Sequence, residues 1–170
     1  FYLDSNYPLT MIVRLRLNAS GGNNQLTSDE LVNRSYNIRY VSVNPGVSTQ
    51  INRSFQYGIN VGYIYKEDQQ IGFVNAKTIK LNTFTRAFLW QKIQASANLE
   101  IRDTKVSGLT NAFTNFELTE GTGSGTNIVW SLLANYRINN MVRMTLNYDG
   151  RTVFDRPDIH TVKLVVSAVF

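Results

Sequence analysis

The chain has 170 residues, a formal net charge of +5 and no cysteine, which sets the scale of one domain and excludes disulfides. No run of about 18 apolar residues occurs, so a transmembrane helix is excluded. Strands that cross a membrane need no such run, because half of each strand faces the interior, so modest hydropathy does not exclude a membrane protein.

Residues 1–10 show no clear period and read as a lead-in. A first strand is predicted over 11–19, where Val13, Leu15, Leu17 and Ala19 alternate with Arg14, Arg16 and Asn18. Two arginines set among leucines are costly in an ordinary apolar core. They fit a strand with one face in lipid and the other towards a polar interior. A polar loop follows, in which Ser28, Asp29 and Glu30 are a weak helix start. The second strand, 35–51, carries Val41, Val43, Pro45, Val47 and Thr49 on one face. Its first part, with Tyr36, Ile38 and Tyr40, changes phase, which predicts an extension beyond the membrane and a bulge.

The third strand, 54–66, has the cleanest alternation: Phe55, Tyr57, Ile59, Val61, Tyr63 and Tyr65 against Gln56, Gly58, Asn60, Gly62 and Ile64. Aromatics at both ends with aliphatics between them are what aromatic belts around an apolar band require. In the fourth strand, 75–90, charge decides the facing. Lys80, Asn82, Phe84, Arg86 and Phe88 form the interior side, because Arg or Lys against lipid at mid-depth costs roughly 2–4 kcal/mol each. The fifth, 92–103, sets Ile93, Ala95, Ala97, Leu99 and Ile101 against Gln94, Ser96, Asn98, Glu100 and Arg102.

The longest connection, 103–126, ends in a glycine-rich tip at Gly121–Gly125, with strand extensions expected from Ala112 to Leu118. The sixth strand, 127–138, carries Trp130 and Tyr136 on its apolar face and Arg137 on the other. The seventh, 141–150, sets Val142, Met144, Leu146 and Tyr148 against Arg143, Thr145, Asn147 and Asp149. The eighth, 160–170, presents Val162, Leu164, Val166, Ala168 and Phe170 at strict period two, with Lys163 opposite.

This closing strand resembles the C-terminal strand of bacterial outer-membrane β-barrel proteins, which ends in an aromatic residue, although Ala168 is smaller than that family usually has there. The connections extend the resemblance over residues 11–170. They alternate long and short, with the short ones near Asn52, Gln91 and Asn139 and the long ones near Gly22, Asp68, Gly123 and Asp155. In an antiparallel up-and-down barrel this places all short turns on one rim and all long loops on the other, as in outer-membrane barrels. The expected fold is therefore an all-β, antiparallel, up-and-down transmembrane β-barrel, a single domain over 1–170 with eight strands. It either closes on itself or forms the C-terminal part of a larger barrel, the abrupt start and the glycines at Gly58 and Gly62 favouring the latter. The resemblance implies a bacterial outer-membrane location with both ends periplasmic and the long loops extracellular. It also implies the lipid bilayer and other outer-membrane subunits as partners. Val162, Leu164, Val166, Ala168 and Phe170 would be a recognition signal for the barrel-assembly machinery. Phe55, Tyr57, Tyr63, Tyr65, Trp130, Tyr136, Tyr148 and Phe170 are the expected aromatic belt.

The interior face is expected to carry Arg14, Arg16, Lys80, Arg86, Arg102, Arg137, Arg143 and Lys163, opposed by Glu100 and Asp149. Such a face is either an anion-favouring lumen or a polar network whose cations pair with these acids, with loop acids or with water. No nucleophile motif, metal-ligand spacing or phosphate loop is present, so no catalytic residue, metal or cofactor is expected. The sole histidine, His160, lies near Asp155 and Asp158. It reads more simply as a solvated loop residue than as a general base. Nucleic acid is not an expected partner, because the basic residues are spread over inward faces. The expected function is a non-enzymatic pore or the barrel part of a transport or secretion assembly. The alternative is a small closed barrel with a structural, adhesive or partner-binding role through its external loops.

Overall fold

A computed structural model describes residues 1–27, 35–70, 74–108 and 112–168. The strands are β1 (Tyr2–Pro8), β2 (Val13–Leu26), β3 (Tyr36–Asn52), β4 (Phe55–Asp68), β5 (Val74–Leu89), β6 (Ile93–Ser107), β7 (Gly125–Arg137), β8 (Val142–Thr152) and β9 (Ile159–Ala168). One helix, α1 (Ala112–Thr119), lies between β6 and β7. The strands form one antiparallel meander of nine strands in sequence order. The sheet is open: among the described residues β1 and β9 do not pair with each other. An all-β antiparallel sheet is thus present, with nine strands where eight were expected, and these strands do not close on themselves, which was one of the two arrangements the sequence left open.

The ninth strand is the supposed lead-in. Tyr2–Pro8 pairs along its length with Arg14–Ser20 of β2. Its sequence has no clean period because it is an edge strand, held by one ladder and wholly exposed, with Pro8 at its end where a missing donor costs little. An odd strand count also corrects the placement of the ends. Tyr2 lies at the rim of the long connections and Ala168 at the opposite rim, so the two visible ends do not share a side.

The short rim has four tight turns, and local chemistry explains each. Thr10 Oγ1 accepts from the Val13 amide at 3.0 Å, Asn52 Oδ1 from Ser54 at 2.8 Å, and Asn139 Oδ1 from Met141 at 2.9 Å and Val142 at 2.7 Å. Such side-chain acceptors mimic a backbone turn. Trp90 and Gln91 instead take φ of 48° and 56°, a left-handed pair suited to the twist of a hairpin, and the Lys92 amide closes the turn on the Leu89 carbonyl at 3.1 Å.

Register settles the faces, since directly opposed residues share one. Along β3 it runs without a shift from Tyr36 to Thr49 against β2, and the one irregularity against β4 falls at Gln50/Asn52 beside the turn. The bulge expected at the phase change is absent. Tyr36, Ile38 and Tyr40 lie on the same face as Ser42 and Asn44. That face turns apolar there because α1 covers it: Leu118 packs with Ile38, Val74 and Ala76, flanked by Tyr36 and Val106. Residues 112–118 are therefore mainly helix and not strand extension. The Gly121–Gly125 stretch returns the chain from the helix into β7, with φ of +76° at Gly121 and Gly123. The weak helix start at 28–30 and Phe170 of the closing signal lie outside the described residues.

In the middle of the sheet burial is inverted relative to an ordinary soluble fold, while β1 and β9 are exposed on both faces. On β4 the apolar-face residues Val61 and Tyr63 are 47% and 46% exposed, while Gly62 and Ile64 between them are buried. Ser42, Asp68, Thr78, Thr104 and Asn127 are buried on the polar face, with Thr78 and Thr104 hydrogen-bonded at 3.0 Å.

Candidate functional site

The cross-strand register brings Arg14, Arg16, Lys80, Arg86, Arg102, Arg137, Arg143 and Lys163 to a single face of the sheet. Gly62↔Lys80↔Arg102↔Asn127 is one continuous row across it. The other face holds Phe55, Tyr57, Tyr63, Tyr65, Trp130, Tyr136 and Tyr148, together with Val162, Leu164, Val166 and Ala168 of β9. Its charged residues, Arg39, Glu67, Lys77, Asp103 and Lys105, gather at the long-connection end, leaving the rest of that face without charge.

Phe84 and Phe88 sit on the polar face with Lys80 and Arg86, which is the facing that charge predicted. Phe84 lies over Gly58, its register partner, where any Cβ would collide with the ring. The slots at Gly58 and Gly62 are thus filled, by Phe84 and by Asn44, and do not widen an interior. The same device serves the apolar face, where Trp130 lies over Gly150.

The polar face gathers into a site at its long-connection end. Glu120, just past α1, reaches Arg102 at 2.6 Å, Lys66 at 3.1 Å and Lys80 at 3.4 Å. Arg102 also holds Glu100 at 3.1 Å, and Lys66 Nζ donates to the Glu117 carbonyl at 3.2 Å. One loop carboxylate therefore ties α1 to three adjacent strands, β4, β5 and β6. Burial alone pushes the Glu120 carboxyl up. The attraction of Lys66 and Lys80, the Lys66 hydrogen bond and Arg102 outweigh it and bring the carboxyl from 4.5 down to about 2.

The backbone at this clamp is strained for its residue. Glu120 has φ of +55°, a left-handed position that favours glycine after a helix. Gly121 N donates to the Phe116 carbonyl at 2.8 Å and Thr119 Oγ1 to Asn115 at 2.8 Å, which closes the helix end. A glutamate there costs about 1 kcal/mol in conformation, which its three cationic contacts offset.

Sequence reasoning placed Lys80, Arg102 and Glu100 correctly relative to one another but missed Glu120 and Lys66. A loop acid has no strand period to reveal its direction; the one available signal is a glutamate immediately before a glycine-rich return. The remaining basic residues, Arg14, Arg16, Arg86, Arg137, Arg143 and Lys163, make no ion pair among the described residues. Asp149 accepts from Asn147 at 2.7 Å and not from a cation. His160 belongs to β9 and not to the preceding loop. Its Nδ1 lies 3.0 Å from the Tyr148 hydroxyl, with the rings stacked at 6.1 Å, so its partners are aromatic and not Asp155 or Asp158.

Comparison with protein-family models, with curated proteins and with solved structures finds no match for this chain.

Proposed function

We propose that this sheet is a wall segment of a membrane-spanning β-barrel of the bacterial outer membrane, acting as a pore or as the barrel part of a transport or secretion assembly. The observation that carries the reading is the inverted character of the faces: one is apolar, exposed and uncharged below its upper end, and the other holds the basic residues and the buried polar ones. On β4 the apolar band from Phe55 to Tyr65 spans about 24 Å at a tilt of 45°, close to the height of the lipid-facing band of such barrels. The short-turn rim is then periplasmic and the long connections external. Lipid covers the apolar face, and the last strand is read by the barrel-assembly machinery.

Strand parity favours a larger wall over the small closed barrel. β1 and β9 run in the same direction, so joining them directly would make a parallel seam in an otherwise antiparallel sheet. An odd number of additional strands removes that conflict. The reading in which a small closed barrel works through its loops needs either that parallel seam or the release of β1 from β2, so that β2 can pair with β9.

The test is a cysteine series in reconstituted protein, with Val61→Cys and Ile79→Cys on the apolar face and Asn60→Cys and Lys80→Cys on the polar face, each carrying a spin label. The expected result is period-two: lipid-borne oxygen relaxes the first pair and an aqueous nickel chelate the second. Aqueous access at all four positions overturns the membrane reading. Planar-bilayer recording then separates pore from wall, with anion-preferring conductance expected; silence or cation preference removes the pore.

A further inference from the structure

The short-turn rim of the polar face carries a charge arrangement that no acid among the described residues compensates. Arg137 and Arg143 are directly opposed across β7 and β8, and like charges in that position repel. Lys92 adjoins them on the other side, its carbonyl accepting from the Arg137 amide at 2.9 Å. Three cations therefore lie side by side on neighbouring stretches of chain. Among the described residues, the nearest acids along the same face of these strands are Glu100 on β6 and Asp149 on β8. Asp149 stands six residues above Arg143, about 20 Å along the strand and beyond the screening length at physiological salt. None of the three cations forms an ion pair among the described residues.

The row borders a cavity of about 280 Å³ whose wall is completed by Phe88, Gln91, Gln94 and Asn135. Gln94 and Asn135 are register partners, and Asn135 Oδ1 is taken up by the Thr145 hydroxyl at 2.8 Å, which leaves its amide nitrogen as a donor. Among the described residues the cavity thus has two guanidinium forks, an ammonium and amide donors, with no acceptor charge. Guanidinium forks match the oxygens of phosphate, and a group of nearly two negative charges offsets such a row better than a single carboxylate does.

We infer that the rim formed by Lys92, Arg137 and Arg143 binds a phosphate group. The site stands on the register and the charges alone and holds whether or not the sheet spans a membrane. Phosphate in this chemistry comes either free or as a lipid headgroup, and the experiment distinguishes the two. The purified full chain is titrated with inorganic phosphate, and separately with vesicles of phosphatidylcholine with and without phosphatidic acid. The variants are Arg143→Gln, Arg137→Gln and, as a same-face cation away from the rim, Lys163→Gln.

Saturable binding weakened about tenfold by either arginine change, and by less than about twofold at Lys163, is the expected result. If inorganic phosphate alone saturates the site, the ligand is free phosphate. If only vesicles with phosphatidic acid do, and the arginine variants lose that binding, the ligand is a headgroup. Equal loss in all three variants, or no saturation in either arm, overturns the site. Thermal unfolding gives a second reading: phosphate raises the midpoint of the native chain and not of Arg143→Gln, while in phosphate-free buffer Arg143→Gln is no less stable than the native chain. A loss of stability in that buffer would mean the arginine is structural and would overturn the inference.

Discussion

The two ends of the polar face solve the same electrostatic problem in opposite ways. At the long-connection end Lys66, Lys80 and Arg102 are satisfied from within, by Glu120 and Glu100, beneath a helix seated on Ile38, Val74 and Ala76. At the short-turn end Lys92, Arg137 and Arg143 are left open to whatever occupies the cavity beside them. The difference follows from the connections. A long connection has chain enough to fold a helix and a carboxylate back over the face, whereas the turns 90–92 and 138–141 have none. Internal compensation fixes the first end, and the second is left available to a ligand.

The largest effect expected at the closed end is from Leu118→Ala. Leu118 is 1% exposed and sits at the centre of the only buried apolar cluster among the described residues. Its truncation should weaken helix docking by about 3 kcal/mol, read as faster hydrogen exchange across residues 112–119 with the β4–β6 ladders unchanged. If those ladders exchange equally fast, helix and sheet are one unit and the two ends do not differ as described. Glu120→Gln should be milder, about 1 kcal/mol or less because the carboxylate is partly solvated, and its effect should shrink with added salt. An unchanged exchange pattern in that variant would show that apolar contact alone seats α1.

Protonation tests the same contact without mutation. The Glu120 carboxyl is lower in the folded chain, about 2 against an ordinary 4.5. Its contribution is therefore fully present above pH 4.5 and is lost as pH falls towards 2. Exchange in α1 should rise over that window in the native chain, and the Glu120→Gln variant should lack this component. A release of the helix near neutral pH would assign it to some other group. The smallest effect belongs to the open end, where Arg137→Gln in phosphate-free buffer should change stability by about 0.5 kcal/mol or less and lower no exchange barrier in α1.

The legible part of this molecule was whatever repeats every second residue. The strands from Val13 onward, the short-turn rim at Asn52, Gln91 and Asn139, and the shared face of Lys80, Arg86, Arg102, Arg137 and Arg143 could be read from alternation, except for Gly21–Leu26, whose polar letters read as loop and which β3 holds as the second half of β2. A strand displays its facing in its own letters wherever its two sides meet different surroundings. Even Phe84 and Phe88, which hydropathy would turn outward, were placed by the charges beside them.

Tertiary structure decided what lacks that period. Tyr2–Pro8 is a strand because β2 offers it a ladder. Tyr36, Ile38 and Tyr40 are apolar on the polar face because a helix from seventy residues further along the chain comes to rest there. Glu120 became the centre of the site through a left-handed turn whose direction its own sequence does not announce. The sequence by itself determined the two-faced strands and their order along the chain. Only the three-dimensional fold decided the odd strand count, the open edges and the pairing of a loop carboxylate with three strands, since each depends on partners distant in the chain and none on a local repeat.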